Sequence, residues 1–98
     1  MADFNSSDLD DVIHGRMRLG LMAYLASVDS ASFGELKERT GATDGNLSTH
    51  LRKLEEAGYV AITKRFVDRK PRTDAALTQA GRKAWIGYLD DLKKLVGE

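Results

Sequence analysis

The sequence predicts a mainly α domain carrying one small β-hairpin, an α+β class, and three observations carry that expectation. Apolar residues recur at helical spacing in two long segments, Arg16–Val28 and Thr78–Val96. Between them, two shorter helical segments meet through a turn at Gly41. Apolar and polar positions then alternate from Val60 to Leu77 around a basic turn. With 98 residues, 42% hydrophobic and 31% charged, the chain has room for one modest core, a single domain over residues 1–98.

The elements follow in order. "SSDLDDVIH" offers Ser7 and Asp8 as caps and acids that suit a helix N-terminus. Gly15 either breaks this first segment or merely weakens it. In Arg16–Val28, Met17, Leu21, Tyr24, Leu25 and Val28 form one stripe, while Leu19 and Met22 fall outside it and leave apolar groups on a second face. "DSASFGELKERTG" reads as a turn, a short extended bridge at Ser32–Phe33, and a helix over about 34–40 anchored by Phe33 and Leu36. Gly41 ends it at the usual left-handed position, and Thr43 caps the next helix. Two helices joined in this way outline a helix-turn-helix.

That second helix, about 44–57, has Leu47, Leu51 and Leu54 as its buried seam. Gly58 stops it, with Tyr59 folding back on the last turn. Val60, Ile62 and Phe66 then alternate with polar positions, Lys64 interrupting. "VDRKPR" reads as a turn pinned by Pro71, and "TDAAL" as a return strand with Thr73, Ala75 and Leu77 on one side. Thr78 caps a last helix whose apolar residues cover roughly 140° of its circumference at the 3.6-residue period. So wide an arc exceeds what one small core needs. The terminal segments 9–28 and 78–96 are therefore expected to dimerise, with Leu19, Met22, Trp85, Leu89, Leu92 and Val96 at the contact.

The 44–57 helix turns Gly45, Asn46, Ser48, Thr49, Arg52 and Lys53 away from its leucine seam. Arg and Lys can meet guanine edges or phosphates, Asn can bond adenine twice, and Ser and Thr suit bases or phosphates. Gly45 weakens the helix by up to about 1 kcal/mol relative to alanine, which suits a site where a partner's backbone comes close. The formal net charge is zero. Its distribution is not even. Residues 1–14 hold four acids and no Lys or Arg, whereas 60–73 hold Lys64, Arg65, Arg69, Lys70 and Arg72 against Asp68 alone. Partners respond to this local field. The plain alternative is an amphipathic helix whose outer face is only wet.

"NLSTHLRKLEEAGYV", "TKRFVDRKPRT" and "ALTQAGR" resemble, in that order, the winged-helix transcriptional regulators of the MarR/ArsR-like group. The likeness is to small stand-alone members with a "DGNLSxHLRKLEEAGYV" recognition helix and spans about residues 9–92. The resemblance implies a winged helix-turn-helix with extended N- and C-terminal helices, the 44–57 helix in the major groove of double-stranded DNA, a wing over 60–77 on flanking DNA, and a homodimer. By position it implies DNA contacts for Thr43, Gly45, Asn46, Ser48, Thr49, His50, Arg52 and Lys53, and for Lys64, Arg65, Arg69, Lys70 and Arg72 of the wing. It also permits a small effector between subunits, which no residue identifies. Asp68 stands where such wings often have glycine, Ala75 where an aromatic is common, and Gly15 where many have "SP".

Other chemistries find little footing. The chain contains no cysteine, so disulfides and thiolate sites are excluded. Asp10 and His14 could begin a metal site, but two ligands do not make one. His50 lacks the orienting group and oxyanion donor of a catalytic array, and reads equally as a DNA contact or a covered flank residue. With no phosphate-cradling loop or dinucleotide fingerprint, no cofactor and no enzymatic activity are expected. The acidic start is no signal peptide and nothing approaches the ~20 apolar residues of a span, so no membrane partner and a cytoplasmic location are expected. A second function class remains: a protein-interaction module whose basic wing binds an acidic partner.

Overall fold

The computed structural model describes residues 9–97, so the candidate caps Ser7 and Asp8 lie outside the described residues. The order is α1 (Arg16–Ala26), β1 (Ala31–Ser32), α2 (Phe33–Thr40), α3 (Asp44–Glu56), β2 (Val60–Val67), β3 (Lys70–Leu77) and α4 (Gln79–Leu95). The strands form one antiparallel sheet in the order β1-β3-β2. Four helices and a three-stranded sheet make the anticipated α+β winged helix.

The expected helix over 9–28 is shorter than its pattern suggested. Asp10 Oδ1 accepts the N–H groups of Val12 (2.8 Å) and Ile13 (3.4 Å), and His14 N–H donates to the Asp10 carbonyl at 2.7 Å. A short polar side chain has taken backbone donors that a helix would have used. Gly15 then separates this turn from α1. Leu9 and Ile13 are nevertheless buried, because the turn is tied down from three directions. Tyr59 Oη donates to Asp10 Oδ2 at 2.5 Å, Arg18 Nε to the Val12 carbonyl at 2.5 Å, and His14 Nδ1 lies 2.9 Å from Tyr88 Oη.

α1 runs through the middle of the core, against α2, α3, α4 and β3. Its second apolar face is therefore covered by its own chain. Met22 is 0% exposed alongside Leu21 and Leu25, so its expected place at a subunit contact is corrected: it has no surface to offer. Leu19 is half-buried against the same cluster.

The caps match the sequence chemistry. Ser32 accepts from Glu35 N–H (3.1 Å), Thr43 from Asn46 N–H (3.2 Å) and Thr78 from Gly81 N–H (2.9 Å). At the end of α3, Tyr59 N–H donates to the Leu54 carbonyl and Gly58 N–H to that of Glu55, with Gly58 at φ 82°. This pair of bonds is the Schellman arrangement.

The hairpin departs from expectation at its turn. Its turn is only Asp68–Arg69, both left-handed at φ 52° and 67°, so Pro71 belongs to β3, opposite Phe66. Two left-handed residues give the tight turn whose twist suits a hairpin. Pro71 is tolerated because β1 pairs only with Ala75 and Asp74, leaving β3 a free edge at this level. Phe66, the last of the alternating apolar positions of β2, is 77% exposed, since the core ends nearer the hairpin's base at Val60, Ala75 and Leu77.

Gly81 explains the "LTQAGR" segment. A Cβ there would sit 2.0 Å from the Tyr59 carbonyl oxygen. Thr78 N–H donates to that same carbonyl at 3.0 Å, and Thr78 Oγ1 donates to the Gly58 carbonyl at 2.6 Å. The end of α3, the base of the hairpin and the start of α4 thus meet at one knot.

Candidate nucleic-acid interface

On α3, Leu47, Leu51 and Leu54 are buried while Gly45, Asn46, Ser48, Thr49, Arg52 and Lys53 are all exposed, as is the cap Thr43. Among the described residues nothing outside the helix's own neighbouring backbone lies within 4 Å of a Cβ built on Gly45, so no packing there requires glycine. Thr49 Oγ1 donates to the Gly45 carbonyl at 2.9 Å and keeps its lone pairs for a partner's donor. At the start of α3, Asp44 is paired to Lys37 of α2 at 2.8 Å, which offsets the one acid of the first turn.

Strand alternation sorts the hairpin's cations. Val60, Ile62, Lys64 and Phe66, with their cross-strand partners Leu77, Ala75, Thr73 and Pro71, share the face that carries the core. Lys64 and Thr73 line one groove with Ser48 and Arg52 of α3, so this face adjoins the outer flank of α3. Asp44 and Glu55 also line that groove. Arg65, Lys70 and Arg72 occupy the opposite face, and Arg69 stands in the turn. The structure therefore brings Lys64 to the α3 flank and keeps Arg65 and Arg72 apart from it.

Sequence reading also missed what holds those two arginines. Asp74 Oδ2 accepts from Arg65 Nε at 3.0 Å and Asp74 Oδ1 from Arg72 Nε at 2.9 Å. The Arg72 bond, followed by that of Arg65, holds the Asp74 carboxyl below its ordinary value despite some desolvation. The arginines stay about half exposed, so solvent screens each pair and weakens it.

A second residue beyond sequence reach is Arg18. Its Nη1 lies 3.1 Å from His50 Nδ1. Arginine only donates, so Nδ1 accepts and the imidazole hydrogen sits on Nε2. Partial burial, then the charges of Arg18 and Lys53, push the His50 pKa down, which keeps the ring neutral. Only the fold brings these two side chains, 32 positions apart, together.

On α4, Trp85 is half-buried and stacks on Tyr88, centroids 5.9 Å apart, while Tyr88 itself is buried. Beyond them Ile86, Leu89, Leu92 and Val96 line a shallow open trough. Ile86 (60% exposed) and Val96 (65%) are the most open. Among the described residues no helix is long and apolar enough to cross a membrane, and no cluster of three or more side chains could hold a metal.

The family description "Winged helix DNA-binding domain" matches residues 17–96, from the core helix α1 to the residue after α4. The chain belongs to this winged-helix family. An uncharacterised protein of Methanocaldococcus jannaschii is 33% identical over 84 residues, 86% of this winged-helix chain and 91% of that protein. A transcriptional regulator homologue from Pyrococcus horikoshii OT3 superposes with TM-score 0.81 at 33% identity, over 87% of this chain and 84% of its own. A MarR-family transcriptional regulator from Enterococcus faecalis V583 follows with TM-score 0.72 at 26% identity, covering 94% and 90%. The family match and these neighbours agree with the resemblance to winged-helix transcriptional regulators carried by the sequence.

Proposed function

We propose that this winged-helix protein is a sequence-specific regulator that binds double-stranded DNA as a homodimer and acts in the cytoplasm. In this reading α3 enters the major groove and the β2–β3 hairpin lies on the flanking backbone or in the minor groove. One observation carries it: the small and cationic flank of α3 continues across a single groove onto Lys64 of the hairpin. A continuous surface of this kind follows a duplex, whereas two separate patches do not.

Asn46, Arg52 and Lys53 are the base-reading candidates, because their donors and acceptors match base edges. His50 joins them as a donor through Nε2, which has no protein partner among the described residues. Thr43, Ser48 and Thr49 suit phosphates, and Gly45 admits the backbone of the duplex. Arg65 and Arg72 exchange Asp74 for phosphate oxygens at little cost, since exposed ion pairs are weak. Arg69 and Lys70 extend the same field outward. The open trough of α4 supplies the subunit contact, which sets the two α3 helices on half-sites about 34–36 Å apart.

Selection from a random duplex pool, followed by salt titration, tests the proposal. If about six phosphates are neutralised, the logarithm of affinity falls with log salt at a slope near −5. Alanine at Arg69, Lys70 and Arg72 is expected to weaken binding to all sequences and flatten that slope. Alanine at Asn46 or Arg52 is expected to change sequence preference, by about 1–3 kcal/mol for a bidentate contact. Pure protein with no affinity for any duplex at low salt would sink the reading.

A further inference from the structure

Phe66 is the most exposed large apolar residue among the described residues, at 77%, and packing does not account for it. It shares its face with Ile62 and Lys64, and its cross-strand partner is Pro71, itself exposed. Four residues beyond Ile62, it stands about 13 Å farther along the strand, past the point where the core ends. The face it occupies is the one that meets the outer flank of α3 through Lys64 and Thr73. On this face Lys64 adjoins the apolar pair and Arg69 stands in the turn beyond it, while Arg65 and Lys70 lie on the opposite face and Asp68 is the acid of the turn.

An apolar tip on a hairpin that carries cations on both faces fits a partner that is anionic outside and apolar within. A DNA duplex has that build, with phosphates outside and stacked bases inside. A protein partner of matching charge would need an acidic rim around an apolar pocket. We propose that Phe66, backed by the rigid Pro71, is an apolar wedge that enters the minor groove beside the α3 site and opens a base step there. This deepens the DNA-binding reading above and rests on it. Side chains of this type part neighbouring base pairs and kink the duplex. Pyrimidine–purine steps such as TA unstack most readily, so the wedge adds a preference at a step the protein never reads by hydrogen bonds.

The test uses the full chain and a selected duplex whose flanking step is TA or AA, with 2-aminopurine at that step. The wild type is expected to raise the 2-aminopurine fluorescence and to favour TA by about tenfold, the scale of one aromatic–base stack. Phe66→Ala is expected to lose both the signal and the preference while keeping the salt slope, and Phe66→Leu to keep part of each. Because the residue is exposed, Phe66→Ala is expected to melt like the wild type. A Phe66→Ala protein that retains the TA preference and the fluorescence rise overturns the wedge but leaves DNA binding intact. So does one that binds as before yet no longer sediments as the wild type, which assigns Phe66 to a protein contact. A wild type that binds no duplex overturns the wedge and the regulator reading together.

Discussion

At Gly81 a single hydrogen decides whether three elements can meet. The Tyr59 carbonyl occupies the space a Cβ would need, and backbone on both sides cannot move aside as a flexible side chain would. Gly81→Ala is therefore expected to destabilise the protein by about 3 kcal/mol, the upper range for overpacking, and thermal unfolding measures it. An unchanged melting temperature would contradict the contact. Tyr59 itself makes a second prediction. Its hydroxyl donates to the Asp10 carboxylate, and that bond, with burial and the carboxylate's charge, pushes its pKa up to about 12. Between about pH 10, where an unfolded tyrosine ionises, and pH 12 the folded protein binds more protons than the unfolded one. Stability from this group is thus complete below about pH 10 and lost as pH rises towards 12. Tyr24, donating to Glu35, shifts in the same direction. Tyr59→Phe is expected to cost about 1 kcal/mol at neutral pH and to reduce this alkaline loss, read by urea unfolding at a series of pH values. Equal alkaline slopes in the two proteins would argue against the Asp10 bond.

At the scale of the element, the hairpin carries strain where it also carries charge. A left-handed residue other than glycine costs roughly 1–2 kcal/mol, and Arg69 pays this in the turn, whereas Asp68 tolerates it better through its short polar side chain. Arg69→Gly is expected to raise stability by about 1 kcal/mol, since Asp-Gly is a favoured pair for such a turn. The same change is expected to weaken DNA binding and lower the salt slope by about one. Calorimetry and binding isotherms on one preparation read both. A variant that gains stability without losing affinity would remove Arg69 from the contact surface. The helices show the reverse relation. α3 is built from agreeing local signals, with a Thr43 cap, a leucine seam and a Schellman end, and its outer flank is left free of structural duties.

For the whole molecule, the issue is how much apolar surface one chain of this size can cover. α1 buries Leu21, Met22 and Leu25, and Met22 shows that part of its second face belongs to the core rather than to a partner. α4 lies on the outside and keeps Ile86, Leu89, Leu95 and Val96 exposed. A stable dimer buries about 800 Å² on each partner, which one helix face with its neighbours can supply. Sedimentation at micromolar concentration is expected to show a dimer for the wild type and a monomer for Ile86→Glu combined with Val96→Glu. That variant is expected to melt as a folded protein but to lose affinity for a two-half-site duplex. A monomeric wild type would remove α4 from the subunit contact.

Much of this was legible in the chain itself. Caps at Thr43 and Thr78, the stop at Gly58, and the seam of Leu47, Leu51 and Leu54 are set by neighbours within a few residues, so spacing alone reveals them. The exposed flank of α3 follows, because a helix that buries one side must turn the other outward. Where the chain crosses itself, the pattern carried no signal. Met22 looked superfluous until α1 proved to pack against four other elements, and the alternation of Val60, Ile62 and Phe66 could not say where along the strand the core ends. The Arg18–His50 contact, the grip of Asp74 on Arg65 and Arg72, and the fit of Gly81 against Tyr59 depend on distances between segments remote in sequence. Periodicity fixes which side of an element is apolar, and only the packing of all the elements decides what covers that side and where the covering stops.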